Sequence, residues 1–247
     1  MTAMMPSATA LPRYLQLMWG ITQGSRRGPK PRLAVGDIAR AAMEIADADG
    51  LDAVSMKAIA ERLDLTPMSL YRYVEAKEDV YELMFDEAYG PPPPGLATEG
   101  DWRARVTAWT MAIVDRQLAH PWTTALPMTR PPAGPHTLRW TDAGIAAFDG
   151  TGLPDAQRLS TLLLISGFTR NHVRMSADMG AFDPERASSA DHYTTVLSQV
   201  IDADRYPNLS RSVASGYLDD GGVDFFDEEL RFGLDLILDG VAARIVD

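Results

Sequence analysis

Short apolar stripes at helical spacing, each cut off by a turn signal, run from Ile38 to Ala88 and leave this stretch little choice of fold. Ile38, Ala41, Ala42, Ile45 and Ala46 fall at i, i+3, i+4, i+7 and i+8, one face of a helix that Gly50 stops. Ser55 is a favoured N-cap for a second helix carrying Met56, Ile59, Ala60 and Leu63 on one side. Thr66 caps a third, with Pro67 in its first turn, where a missing N–H costs nothing. This third helix must be short, because only Leu70 and Val74 face inward before Glu75–Ala76–Lys77. A fourth stripe of Val80, Leu83, Met84, Glu87 and Ala88 ends at the proline run Pro91–Pro94.

The rest of the chain keeps a helical pattern. Trp102, Val106, Trp109, Ile113 and Leu118 predict one helix, stopped near His120–Pro121, and Pro127, Pro131, Pro132 and Pro135 mark a loop. Further helices are expected over Leu138–Phe148, Pro154–Met175 and Phe225–Ile245, with a polar loop across 176–223 that holds a helical piece near Tyr193–Ile201. No segment alternates with period two for long enough to nominate a strand, so the fold class is all-α. Residues 1–32, rich in Pro, Gly, Ser and Thr, are expected to be mobile apart from a short turn at Tyr14–Trp19. The expected organisation is a flexible basic arm over 1–32, a helix-turn-helix domain over 33–90, and a helical effector-binding and dimerisation domain over 91–247.

Composition sets outer bounds. A chain of 247 residues with 46% hydrophobic side chains can bury a core as one large or two small domains. No apolar run reaches the about 18–20 residues of a membrane span, and the only basic residue before Gly24 is Arg13, with no apolar run behind it. Neither a membrane anchor nor a secretory leader is expected. With zero cysteines there are no disulfides or thiolate metal sites, which fits a cytoplasmic protein. The formal net charge of −11 opposes attraction of the whole protein to nucleic acid. That charge is unevenly spread. From Leu11 to Val35 there are five basic residues and no acidic ones, with Arg26, Arg27, Lys30 and Arg32 close together. By itself such a cluster reads equally as a solvated tail.

Two helices joined by a tight turn, the second one short, make a helix-turn-helix, whose second helix enters the major groove by its N-terminal end. With Leu70 and Val74 inward, Met68, Ser69, Arg72 and Tyr73 point outward and Tyr71 lies on a flank. Arginine suits bidentate recognition of guanine edges, and Ser, Thr and Tyr hydroxyls commonly bond phosphate oxygens. A helix start just behind Lys77 offers free amides together with a positive charge, which suits a phosphate. Spacing alone leaves a second reading open, in which Tyr71 and Tyr73 pack in a core and Arg72 is merely solvated.

The run "DIARAAMEIADADGLDAVSMKAIAERLDLTPMSLYRYVEAKEDVYELMFDEA" resembles the N-terminal domain of the tetracycline-repressor (TetR) family of bacterial transcription regulators, without a gap. "HPWTTALP" and "FDEELRFGLDLILDGV" are similar, less specifically, to that family's ligand and dimer domain. The resemblance implies that Ser55 and Lys57 at the start of the second helix reach DNA, as do Thr66, Pro67, Met68, Ser69, Arg72 and Tyr73 on the groove face. It implies phosphate contacts for Tyr71 and Lys77, and an arm of Arg26, Arg27, Lys30 and Arg32 on phosphates or in the minor groove. One departure matters. Many members have glycine in the turn where this chain has Asp64, a residue that tolerates a left-handed backbone but brings a carboxylate close to DNA.

Signals for catalysis are thin. His120, His136, His172 and His192 are scattered, with no His-Glu-x-x-His spacing, Walker loop or Gly-x-Ser-x-Gly elbow, so no cofactor, metal or enzymatic activity is expected. For an effector pocket the candidates are Trp102, Trp109, Trp122, Trp140 and Phe168 with the polar pair Asn171 and His172; aromatics at this spacing serve equally as core, and His172 equally as a satisfied interior histidine. The apolar circumference of Leu159–Phe168 and of the last helix asks for a two-fold partner. The function expected is a homodimeric, ligand-responsive transcriptional regulator, a repressor released from a pseudo-palindromic double-stranded DNA operator by a small molecule. The alternative is an all-α small-molecule-binding or catalytic protein whose N-terminal helices only pack.

Overall fold

The computed structural model describes residues 11–21, 33–180, 182, 195–197, 199–215 and 223–245, and among these no strand occurs. The helices are α1 (Arg13–Met18), α2 (Val35–Asp49), α3 (Met56–Arg62), α4 (Pro67–Leu70), α5 (Lys77–Tyr89), α6 (Trp102–Ala119), α7 (Pro135–Ala146), α8 (Asp155–Asp178), α9 (Pro207–Ala214) and α10 (Val223–Ala242). Short 3-10 turns cover Leu51–Ala53 and Pro121–Thr124. Among the described residues no helix is long and apolar enough to cross a membrane. The chain divides into two compact units, one of residues 1–96 with 125–144, the other of 97–124 with 145–247.

In the first unit α2 lies along α5. Ile38, Ala42 and Ile45 on α2 bury with Ile59 and Ala60 on α3 and with Val80, Leu83 and Met84 on α5. The stripes predicted from Ile38 to Ala88 are therefore the core faces. Local rules set the ends. Asp37 accepts the Ala34 amide at 2.8 Å at the start of α2, and Gly50 closes its end at φ +82°. The predicted turn at Tyr14–Trp19 is a helical turn, and it is not free: Tyr14 and Leu15 are buried. Helix α7 starts at Pro135 rather than at Leu138. The cause is tertiary, because the buried Asp86 carboxylate on α5 accepts the amides of His136 at 3.0 Å and Thr137 at 2.8 Å. A remote side chain thus satisfies the first free N–H groups of the helix.

In the second unit α6 packs on α8, and α8 on α10. Val114, Val173, Phe226 and Leu230 form a buried cluster, joined by Met111, Leu118 and Phe168. Gly233 allows that packing, since a Cβ there would lie 2.3 Å from Phe168 Cζ. Residues 195–197 and 199–200 are helical, within the piece predicted near Tyr193–Ile201. Among the described residues two apolar faces stay exposed. On α8 Leu159 and Leu163 precede Gly167 at i, i+4 and i+8, and on α10 Phe232 and Leu236 precede Gly240 at the same spacing. All four large side chains are exposed, Leu163 by 76%, and among the described residues neither glycine has a neighbour within 4 Å of its missing Cβ.

Candidate nucleic-acid interface

Helix α3 starts at Ser55, whose Oγ accepts the Ala58 amide at 3.1 Å, so the structure shows this hydroxyl capping its own helix. Lys57 is exposed and, among the described residues, pairs with Glu61 alone at i,i+4 and 3.7 Å, an interaction too weak in water to hold it. The connection to α4 is tight: Leu65 N–H donates to Ala60 O at 2.8 Å, with Asp64 left-handed at φ +53°. Aspartate there takes the conformation that glycine supplies most readily.

Helix α4 is a single turn. Thr66 precedes it in extended conformation, and its Oγ1 lies 3.0 Å from Ser69 Oγ, so the two predicted hydroxyls share one hydrogen bond. Pro67 occupies the first helical position. Leu70 and Val74 are both 0% exposed and anchor the turn from beneath. Above them Met68 is 74% exposed, Tyr71 and Arg72 are exposed, and Tyr73 is half-buried. Lys77 opens α5 with its Nζ 5.1 Å from the centre of the Tyr81 ring, which steadies the ammonium by a cation–π contact. Of the predicted outward set Met68 on α4 and Arg72 beyond it face solvent while Ser69 and Tyr73 are half-buried, and the reading with Tyr71 in a core does not fit. Arg26, Arg27, Lys30 and Arg32 lie outside the described residues.

Sequence reasoning missed the supports around this turn. Asp79 Oδ2 accepts the amides of Glu75 at 2.8 Å and Ala76 at 3.3 Å, fixing the joint between the short turn and α5. Its Oδ1 takes Arg130 at 2.8 Å, and Arg130 also pairs with Glu82. Tyr14 donates its hydroxyl to Glu82 Oε2 at 3.0 Å, with the Arg130 guanidinium 5.2 Å from the centre of its ring. Burial first, and then the Glu82 carboxylate, push the Tyr14 phenol above the usual tyrosine range, so it stays a proton donor. Nothing periodic in the sequence links positions 14, 79, 82 and 130.

The effector candidates are dispersed. Trp140 lies in the first unit, where its indole N–H donates to Gly90 O at 2.9 Å. The other six lie in the second. Trp109 is buried, Trp102 stacks on Phe148 at 6.3 Å between ring centres, and Trp122 sits 5.6 Å from His120. His172 is wedged between Phe168 and Phe226, and its Nε2–H donates to the Phe226 carbonyl at 2.9 Å, which satisfies it without a ligand. Asn171 points away, exposed, toward Met175 Sδ at 3.2 Å.

A buried pair under a one-turn helix, a left-handed turn before it and an outward row of Met, Tyr and Arg define a helix-turn-helix DNA-binding protein. Known sequences agree. Residues 38–84 match the model of bacterial regulatory proteins of the tetR family, and residues 93–245 that of the tetracyclin repressor-like C-terminal domain. An HTH-type transcriptional repressor of Streptomyces coeruleorubidus, DrrR1, is 32% identical over 240 residues, covering 94% of this chain and 86% of that protein. An HTH-type transcriptional regulator of Saccharopolyspora erythraea is 34% identical over 139 residues, 56% of this chain and 59% of that one. Among solved structures, ActR from Streptomyces coelicolor in complex with actinorhodin superposes with a TM-score of 0.71 at 23% identity, covering 87% of this chain and 98% of its own. The chain belongs to the tetR family of bacterial regulatory proteins, and it is a DNA-binding transcriptional regulator.

Proposed function

We propose that the protein is a homodimeric one-component repressor that holds a pseudo-palindromic operator and lets go when a small molecule binds its C-terminal domain. The observation that carries the DNA-binding half is the pairing of Leu70 and Val74 at 0% exposure with Met68 at 74% on the opposite side of one turn. A large apolar side chain held out to solvent on a rigid turn suits a thymine methyl, and Arg72 beside it suits a guanine edge. Thr66, Pro67, Ser69 and Tyr73 complete the groove face; Ser55, Lys57, Tyr71 and Lys77 flank it toward the phosphates, and the Arg26–Arg32 cluster serves as the arm. In functional terms the arm is 1–32, the reading domain 33–90 and the regulatory domain 91–247. Supporting the regulatory half is ActR, which shares the fold and was solved with actinorhodin. Within the second unit Trp102, Trp109, Trp122 and Phe168 are the candidates to line an effector pocket. The protein is no enzyme, needs no cofactor or metal, and acts on chromosomal DNA in the cytoplasm.

A second copy is the natural cover for the Leu159–Leu163 and Phe232–Leu236 ridges. A two-fold axis lays each ridge against its own copy or its neighbour, and the bare faces of Gly167 and Gly240 let the backbones approach closely. Two reading turns then fall about 34 Å apart, one turn of DNA.

The test of the reading role is a salt titration of binding to duplex DNA from upstream of the protein's own gene. Arg72→Ala is expected to cost about 1–3 kcal/mol and to relax preference at one base pair. Lys77→Ala is expected to weaken all sequences alike and to flatten the salt dependence by roughly one unit. Parent-like binding by both variants would exclude α4 as the reader.

A further inference from the structure

We propose that α1 is a working part of the DNA-reading head, in which Arg13 acts as a positioning residue for Arg72. The proposal rests on the assignment of α4 as the reading turn. Helix α4 ends at Leu70, so the carbonyl of Arg72 lies in the turn beyond it, where the backbone has few partners of its own. The guanidinium of Arg13 reaches it across the fold, with Nε donating to Arg72 O. A charged donor on a carbonyl is among the stronger hydrogen bonds available to a backbone. The carbonyl it holds belongs to the very residue whose side chain faces outward from the turn.

Helix α1 can exert this hold only because its own seat is fixed. Tyr14, 1% exposed, donates to Glu82 on α5 and lies under Arg130. Arg130 bridges Glu82 to Asp79, and Asp79 caps the joint at Glu75 and Ala76. At the far end of α1 the Trp19 indole N–H donates to Ala133 O at 2.9 Å. The segment that follows the reading turn is thus held at two points beyond Arg72 Cα: by Arg13 on the Arg72 carbonyl, and by Asp79 on the amides of Glu75 and Ala76.

Arg13 is itself exposed and cationic, so a direct phosphate contact is the competing explanation for any loss on its removal. The two separate in a salt titration of operator binding by the full chain. For Arg13→Ala the expected result is about a tenfold loss of affinity, from one charged hydrogen bond. The slope of log K against log salt should match the parent's, because no phosphate contact is lost. Arg13→Lys should recover part of the affinity, since an ammonium can donate to the same carbonyl. Tyr14→Phe, which removes only the hydroxyl, should shift affinity in the same direction with the slope again unchanged.

A slope flatter by about one unit in Arg13→Ala would overturn the proposal, because it would place Arg13 on a phosphate. Unchanged affinity in Arg13→Ala would overturn it as well, and so would a lysine variant no better than alanine. A parent protein that binds DNA without any salt dependence would instead bring down the DNA-reading assignment itself, and this proposal with it.

Discussion

Replacing Leu163 by aspartate is expected to turn the dimer into a folded monomer and to remove tight operator binding. Leu163 is 76% exposed in the single chain, so the substitution does not disturb that chain's own core. In a two-fold interface the same position is covered, and each copy then buries an uncompensated carboxylate. An unpaired charge of this kind costs about 3–5 kcal/mol. Symmetry counts it twice, and at 1.4 kcal/mol per factor of ten the dimer constant weakens by at least about four orders of magnitude. A monomer offers one reading turn to one half-site and loses the second set of contacts that the dimer delivers at no further cost in association entropy. Light scattering at micromolar concentration checks the mass, circular dichroism checks the retained helices, and a mobility shift checks the DNA. A variant that keeps the parent's dimeric mass would move the interface away from the Leu159–Leu163 ridge.

The largest expected effect on stability is at Gly134. A Cβ on this residue would lie 2.1 Å from Asp86 Oδ1 and 2.3 Å from its Cγ. Asp86 has no room to retreat: it is buried, and its carboxylate holds the amides of His136 and Thr137. Gly134→Ala therefore forces a choice between a steric overlap and buried amides left without an acceptor. Either outcome costs about 2–4 kcal/mol. For a chain of this size that is a fall in melting temperature of about 5–15 °C. Asp86→Ala alone should lose a similar amount, by uncapping α7. The double variant is the discriminating one. With the carboxylate gone only the Cβ of position 86, 2.8 Å from the added methyl, remains to yield, so the double loss should fall below the sum of the two single losses. Additive losses would mean that the two residues act separately.

These two effects differ in how far the chain announces them. The exposed apolar faces were legible as excess: α8 and α10 carry more apolar residues than one neighbour can cover, and a helical period shows that in the sequence. Which leucines stay outside was not legible. Leu162 and Ile165 turn inward on α8 while Leu163 and Leu164 turn out, and only the placement of α6 and α10 selects between them. The Gly134–Asp86 contact was invisible, because a side chain closing on a backbone far along the chain leaves no period behind.

The reading turn divides in the same way. Its four stripes, the Ser55 cap, Pro67 at the first helical position and the left-handed Asp64 follow from rules acting over a few residues, where i,i+4 hydrogen bonds and allowed φ angles decide. Those rules settled the order of the helices, the outward face of Met68, Tyr71 and Arg72, and hence the class of protein. Helix α1 has six residues, too few to be stable alone, and exists because Tyr14 and Leu15 are buried against the rest of its unit. Arg13 on the Arg72 carbonyl, Arg130 on Asp79 and Glu82, and His172 on the Phe226 carbonyl likewise join residues that share no local rule. What the sequence by itself determined is the local conformation that reads DNA. What holds that conformation in place was decided only by tertiary structure, because the free energy of a long-range hydrogen bond depends on where two distant segments meet, and a one-dimensional pattern does not encode that meeting point.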